Sequence, residues 1–414
     1  MKLDTLPNGL RLLVVPNEGD ESATVDLCGF AGSGYEKDSA GAAHFLEHVL
    51  FDGTKNYQTI QELDAIVNNR GSRKNGMTSK DYARYSVKSL PEEVESSFIY
   101  LSEIMLRPLL RQHDIDREKT IIEQEINRFK DDPSLYLPRK IYSQLYPSSP
   151  LGRFVTGDVD EIKRLEKGQI DEYWESHYVA RNFVMVVAGK VVPEKIKRLA
   201  EKYFGEMRPG ESQAKIVAAP NKLGSIVVEN RDNLKQSHFL ISYPGFAHDD
   251  EQRFVAEVLV RILARGFSSR LYVKLRVEKA MIYSLRGYAY SGSFGGSVGI
   301  TTAVDQDKLN EALEIVNQEI DKVMEGVVTD EELARGINLA ASDALFNQEL
   351  NENLTSSYAY DLLLLGRIID PATAKEKYHS VTRAKLQEVA IKLFSGKPNL
   401  LALTQSLQRD NIKF

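Results

Sequence analysis

Two histidines and a glutamate stand within five residues of one another, as His44-Phe45-Leu46-Glu47-His48. Positions four apart on a helix lie one turn apart on the same face, so both imidazoles can reach a single metal ion. Glu47, directly before the second histidine, can lean over that metal as a base without being a ligand. The order inverts the H-E-x-x-H zinc helix. A bland alternative exists: a partly buried helix with two structural histidines and a solvated glutamate. A catalytic zinc site usually has three protein ligands and an open position, so two imidazoles are one ligand short. Glu118-Lys119-Thr120-Ile121-Ile122-Glu123-Gln124-Glu125-Ile126 offers candidates. Glu118 and Glu125 are seven apart, nearly two turns, and project from one helix face, whereas Glu123 points elsewhere. Without the histidines, this acidic stretch reads as a solvated surface.

The elements that must position these residues follow from local pattern. Asp38 or Ser39 can cap the histidine helix, Ala40 to Ala43 are mostly good helix formers, and Gly53 can stop it. Upstream, Leu3 to Leu6 and Leu10 to Val15 flank Pro7-Asn8-Gly9, a hairpin with an Asn-Gly turn. A third strand covers Ala23 to Phe30. Helical pattern spans Ile60 to Asn69, Pro91 to Met105 and Asp114 to Lys130, with extended character around Tyr82, Tyr85 and Val87. Asn182 to Gly189 is a buried strand, and Val192 to Phe204 a helix. Arg208-Pro209-Gly210-Glu211-Ser212-Gln213 is the best linker candidate.

The second half begins again with strands at Ser225 to Glu229 and His238 to Tyr243, then helices from Glu251 and Ser268. A strand pair follows at Ile282 to Ser291 and Gly295 to Val304. Helices from Asp307 to Glu325 and Asp330 to Leu350, a helix at Arg383 to Phe394 and a strand at Leu400 to Leu403 complete it. Both halves run strands, then helices, then a helix followed by an Asn and an apolar strand (Asn182 onward, Asn399 onward). The expected fold is α+β: two similar α/β-sandwich domains, each a mixed or antiparallel sheet with helices. The expected division is 1–208, a linker at 209–222, and 223–414.

Composition narrows the classes. The 414 residues are 42% hydrophobic and 27% charged, ordinary for a globular chain with a substantial core. A net charge of -6 gives no support to nucleic-acid binding. Cys28 is the single cysteine, so no intrachain disulfide and no thiolate zinc cluster is possible. No apolar run reaches membrane-spanning length and the N-terminus lacks a signal-peptide core, which makes the cytosol the default expectation.

The motif, its flanks (Gly41 before it, Phe51-x-Gly53-Thr54 after it) and the glutamate 77 residues beyond His48 resemble the pitrilysin family. These zinc metallopeptidases include insulin-degrading enzyme and mitochondrial processing peptidase. The third-ligand helix of that family has a pattern like Glu-Lys-x-x-Ile-x-x-Glu-Ile. The resemblance therefore implies one Zn2+ per chain on His44, His48 and Glu125, with Glu118 supporting the site and Glu47 as the base. Ser268-Ser269-Arg270-Leu271, Leu275-Arg276 and Ile282-Tyr283-Ser284 resemble the segment whose Arg and Tyr, seven apart, hold substrate; Arg276 and Tyr283 match. Asn75-Gly76-Met77-Thr78-Ser79 resembles the strand that pairs with substrate backbone, with Gly76 where Ala is usual. Arg73-Lys74 before it read as solvated charge or as a preference for acidic side chains.

By the same resemblance, the chain is one half of a clamshell. The implied assembly is a homodimer enclosing unfolded peptides, or a heterodimer with a related subunit. A different class of function is a non-catalytic or partner-dependent subunit, which would commonly lack motif residues; here His44, Glu47, His48, Glu118 and Glu125 are all present. A peptide-binding module with structural zinc would normally show four protein ligands. His113, His177, His238, His248 and His379 have no ligand spacing to one another, and Trp174 reads as packing.

Overall fold

The computed structural model describes residues 1–147, 149–218 and 224–414. The first unit holds a six-stranded sheet built from β1 (Lys2–Thr5), β2 (Arg11–Pro16), β3 (Ala23–Gly29), β4 (Arg73–Thr78), β5 (Ala83–Ser89) and β6 (Phe183–Gly189). Its order is β1-β2-β6-β3-β5-β4, with β2 and β6 parallel and every other neighbour antiparallel. β3 and β6 are buried along their whole length, as central strands covered on both faces must be. β4 closes the order at one edge and pairs only with β5 among the described strands.

The second unit holds β7 (Ile226–Asn230), β8 (Ser237–Gly245), β9 (Leu285–Gly292), β10 (Gly295–Val304) and β11 (Asn399–Thr404), in the order β7-β11-β8-β10-β9. Again the first and last strands are parallel and the others antiparallel. Taken in chain order, β2–β6 and β7–β11 have the same topology, and β1 is an addition to the first sheet. The α+β reading with two similar mixed sheets holds.

The units are not contiguous in sequence, unlike the expected 1–208 and 223–414 division. One comprises Met1–Arg128, Arg153–Ile216 and Asn347–Ile369; the other Phe129–Gly152, Val217–Phe346 and Asp370–Phe414. Of the expected linker, residues 219–222 lie outside the described residues. Two exchanged segments account for the difference. Tyr142 and Tyr146 pack with Tyr290 and Phe294 at ring distances of 5.5–6.5 Å, and Tyr136 donates a hydrogen bond to Glu229, which places Phe129–Gly152 on the second sheet.

The other exchanged segment carries a helix, Asn351–Leu365, where the sequence pattern indicated none; the preceding helix ends at Phe346, not Leu350. Tyr358, Leu362, Leu363 and Leu364 of this helix are buried with Leu13, Cys28, Phe30, Val184 and Val186 of the first unit. A fully buried side chain of this size contributes about 1.5–3 kcal/mol, so the helix goes where apolar partners exist. A polar seam fixes its register. Asp26, fully buried on β3, pairs with Arg84 at 2.5 Å and accepts a hydrogen bond from Thr355 at 3.0 Å. Arg84 also donates to the Glu352 carbonyl at 2.9 Å.

Breaking one partner of a buried pair leaves an uncompensated charge. Asp26→Ala is therefore expected to destabilise the first unit by about 3–5 kcal/mol, against about 1 kcal/mol for Thr355→Val. Urea unfolding followed by Trp174, the one tryptophan and a member of this unit, reads the difference. Equal small losses would mean that the seam does not hold the helix.

Candidate metal centre

The histidine helix runs Ala42–Val49. Its start is not capped by Asp38 or Ser39. The Glu36 carboxylate, entering from the turn at Ser33–Tyr35, instead accepts the backbone N–H of Gly41 and of Ala43, both at 2.9 Å. Gly41 sits at φ 86, where an added Cβ would stand 2.6 Å from Ile162 and 2.8 Å from the Thr156 carbonyl; glycine is required there on both counts. The helix ends before Gly53.

On this helix the His44 and His48 rings lie 4.7 Å apart. The second helix, Gln112–Asp131, brings Glu125 Oε2 to 3.7 Å from His44 Nε2 and 3.5 Å from His48 Nε2. Donors about 2.1 Å from one ion at tetrahedral angles stand about 3.4 Å apart. Both distances to Glu125 are thus close to the spacing one zinc-sized ion demands, and with all three ligand atoms within 4.8 Å of one another His44, His48 and Glu125 form a candidate metal-holding group. Among the described residues no second such group occurs. Two neutral imidazoles and a carboxylate suit zinc.

Glu118, one face and two turns from Glu125, is 5% exposed and sets its Oε2 3.1 Å from His48 Nδ1. A carboxylate accepting from Nδ1–H aims Nε2 at the ion. Glu123 points away to Lys163 at 2.9 Å.

Glu47 meets strand β4. Thr78, at the end of β4, donates its hydroxyl to Glu47 Oε2, a contact that sequence reading passed over although Thr78 lay inside the quoted strand. Burial raises the Glu47 carboxyl, Thr78 and His48 oppose, and Glu125 adds to the rise. The imidazole of His48 shows the charge preference of the whole site. Burial disfavours its cation, yet Glu118, Glu125 and Glu47 outweigh that and push it up to about 10. Three carboxylates around two imidazoles make a hole that favours positive charge, and a divalent cation meets the same demand as the proton.

Asn75, Gly76 and Met77 lie on the edge strand β4 beside Glu47. A Cβ on Gly76 would stand 2.8 Å from Glu47 Oε1 and 2.9 Å from the Phe51 ring, so the absence of a side chain lets the strand approach the base this closely. Lys74 is not solvated charge: it pairs with Asp64 at 2.5 Å and lies over the Phe51 ring.

Arg276 and Tyr283 belong to the second unit and are brought together there. The Arg276 guanidinium lies 5.3 Å from the Tyr283 ring centre and donates to the Ile282 carbonyl at 2.8 Å. Tyr283 is 83% exposed. A π-helical turn, Val273–Glu278, carries the arginine, and Ala280 after it has a positive φ of 49. Arg270 anchors the segment by pairing with Glu332 at 2.6 Å. Of the remaining histidines, His177 stacks on Tyr173 at 4.1 Å; Trp174 donates to the Met105 carbonyl.

Two family models match in tandem: residues 11–159 match Insulinase (Peptidase family M16), and residues 164–339 match the Peptidase M16 inactive domain. The chain belongs to peptidase family M16. An uncharacterized zinc protease of Streptomyces coelicolor is 26% identical to this M16 chain, over 96% of it and 88% of the relative. Mitochondrial-processing peptidase subunit beta of Mus musculus is 26% identical over 98% of the chain and 84% of the relative. A protease from Helicobacter pylori has the same fold, with a TM-score of 0.90 at 22% identity, covering 97% of this chain and 99% of that one. A peptidase M16 inactive domain from Pseudomonas fluorescens likewise superposes with a TM-score of 0.90 at 17% identity, covering 98% of each chain.

The His48 proton supplies a test of the M16 centre. With the folded value raised from 6.5 to about 10, the metal-free folded chain holds a proton that the unfolded chain releases. That contribution to stability is full below 6.5 and is lost as pH rises through the folded value. Urea midpoints of the chelator-treated protein are expected to fall over this window, and zinc to remove the fall by replacing the proton. The same slope with and without zinc would sink the assignment.

Proposed function

We propose that this protein is a zinc-dependent endopeptidase that hydrolyses unfolded peptides, with zinc held by His44, His48 and Glu125. The observation that carries this reading is the placement of Glu47. It is a carboxylate that directly precedes His48 on the helix, interacts with both His48 and Glu125, lies outside the candidate ligand set, and is held by Thr78 through one oxygen. Membership of family M16 and relatives named zinc proteases support it. Zinc, when bound, supplies Lewis acidity that polarises a peptide carbonyl and lowers the pKa of water. Glu47, its Oε2 anchored, takes the proton of the attacking water on Oε1 and passes it to the leaving amine nitrogen. A carboxyl raised by burial suits a group that must both accept and return a proton. Glu118 keeps the His48 ring in place throughout. β4, through Asn75, Gly76 and Met77, takes the substrate backbone as an added strand, a mode that reads main chain rather than sequence. Arg276 and Tyr283 hold substrate carbonyls and the charge that develops on them.

The assembly in this reading is a homodimer with a chamber, in which the first unit of each chain works with the second unit of its partner. A specific observation favours a second reading. Relatives named as subunit beta of mitochondrial-processing peptidase support a heterodimer in which a related subunit supplies the second half.

Two measurements decide. Wild type is expected to cut an unstructured peptide of about 20 residues, whereas Glu47→Gln keeps its zinc and loses about 10²–10⁴-fold in kcat. Zinc-loaded wild type that does not cut would shift the conclusion to the partner-dependent subunit. Next, Glu47→Gln and Arg276→Leu chains, each inactive alone, are unfolded together and refolded as a mixture. A site shared between two chains restores activity, because the mixed dimer carries one intact site; a site built within one chain restores none.

A further inference from the structure

Glu118 uses one carboxylate oxygen on His48. Its other oxygen, Oε1, lies 3.4 Å from Arg117 Nε. The same guanidinium places Nη2 2.6 Å from Asp52 Oδ1 and Nη1 3.2 Å from Asp114 Oδ1. One arginine therefore serves three carboxylates whose residues are 5%, 5% and 2% exposed for Glu118, Asp52 and Asp114. A planar fork with donors in fixed directions is the side chain that can do this; an ammonium group is a point charge. Asp114 is braced in turn by Arg111 at 2.6 Å, and Arg111 donates to the carbonyls of Gln58 at 2.9 Å and Asp52 at 3.5 Å. The net ties the first two turns of the glutamate helix to the segment that follows the histidine helix. The two metal-bearing helices are thus joined outside the candidate centre as well as at it.

We infer that Arg117, braced by Asp52 and Asp114, is a positioning residue for the metal centre: it pins the carboxylate of Glu118, which orients His48. The inference rests on the metal-site reading and goes beyond it. Three carboxylates this close and this buried repel one another. Without the guanidinium, Glu118 is free to rotate away from His48, which ends its role as acceptor for Nδ1–H. An opposing effect has a distinguishable sign. As a bare positive charge near a cation, Arg117 disfavours metal, so its removal by charge alone would tighten binding. Positioning requires the reverse.

The experiment is zinc affinity by competition with a chromophoric chelator, on full-length chains whose fold is checked by the urea midpoint. The chains are wild type, Arg117→Gln, Arg117→Lys, Glu118→Gln and the double variant Arg117→Gln with Glu118→Gln. Arg117→Gln is expected to weaken zinc by about tenfold. Arg117→Lys, which keeps the charge and loses the fork, is expected to fall between it and wild type. In the Glu118→Gln background the Arg117 substitution is expected to have no further effect, because the route to the metal is already cut. Should Arg117→Gln prove unstable, Asp52→Asn leaves the guanidinium in place and is expected to weaken zinc by a smaller factor with the same dependence on Glu118. Unchanged or tighter zinc in Arg117→Gln, or a loss that persists in full in the double variant, would overturn the assignment. Wild type that binds no zinc would overturn the metal centre itself, and the inference with it.

Discussion

Two imidazoles on one short helix face two carboxylates on another, and polar contacts from several parts of the first unit hold those helices and their neighbours. Taking these groups out of water costs free energy unless each finds a partner. The imidazoles and carboxylates are partners for each other only over a few ångströms, with Nε2 and Nδ1 of His48 each engaged by a different glutamate. The constraint propagates outward. Glu36 holds the start of one helix and Arg117 the first turns of the other, while Thr78 reaches Glu47 from the edge of the sheet. Each is a polar group placed against another that would otherwise be buried without a partner. A site that favours a cation this strongly is a property of the surrounding carboxylates, not of the histidines alone.

The repeated sheet shows how little of this belongs to the fold itself. β2–β6 and β7–β11 follow the same order with the same parallel pair, yet among the described residues the one candidate metal group lies in the first unit. The candidate metal group sits on helices added to a shared frame, as functional sites usually do on a reused architecture. In the second unit a π-helical turn lays an arginine on a tyrosine and is anchored by Arg270 and Glu332. That pair is held by contacts inside its own unit.

Several features are legible in the amino-acid sequence because they are local. The hairpin at Asn8-Gly9, the strand from Gly295 and the long acidic helix all follow from turn chemistry or from a period of two or 3.6. The helix Asn351–Leu365 escaped for the opposite reason. Its apolar residues, Leu362 to Leu365 in a run, surround the axis instead of striping it, and Asn, Thr and Ser fill its first turns; a helix buried on several sides loses the amphipathic signal. The discontinuous units escaped with it, since no composition shift marks a segment that crosses to another sheet to bury its side chains.

The amino-acid sequence by itself determined the pair His44 and His48, with Glu47 between them, because helical spacing alone puts two such imidazoles on one face. It also placed Glu118 and Glu125 on a common face of a second helix. Only the tertiary structure decided how those faces meet: that Glu125 stands between both Nε2 atoms, that Glu118 turns to Nδ1, and that Glu36, Thr78, Asp52 and Arg117 supply the remaining partners. Glu36 reaches only five and seven positions along the chain, but Thr78 and Glu47 lie 31 positions apart and Glu118 and His48 lie 70 apart. Their pairing is set by which buried charges and donors lack a partner once the sheet and helices have packed, and no local period encodes that.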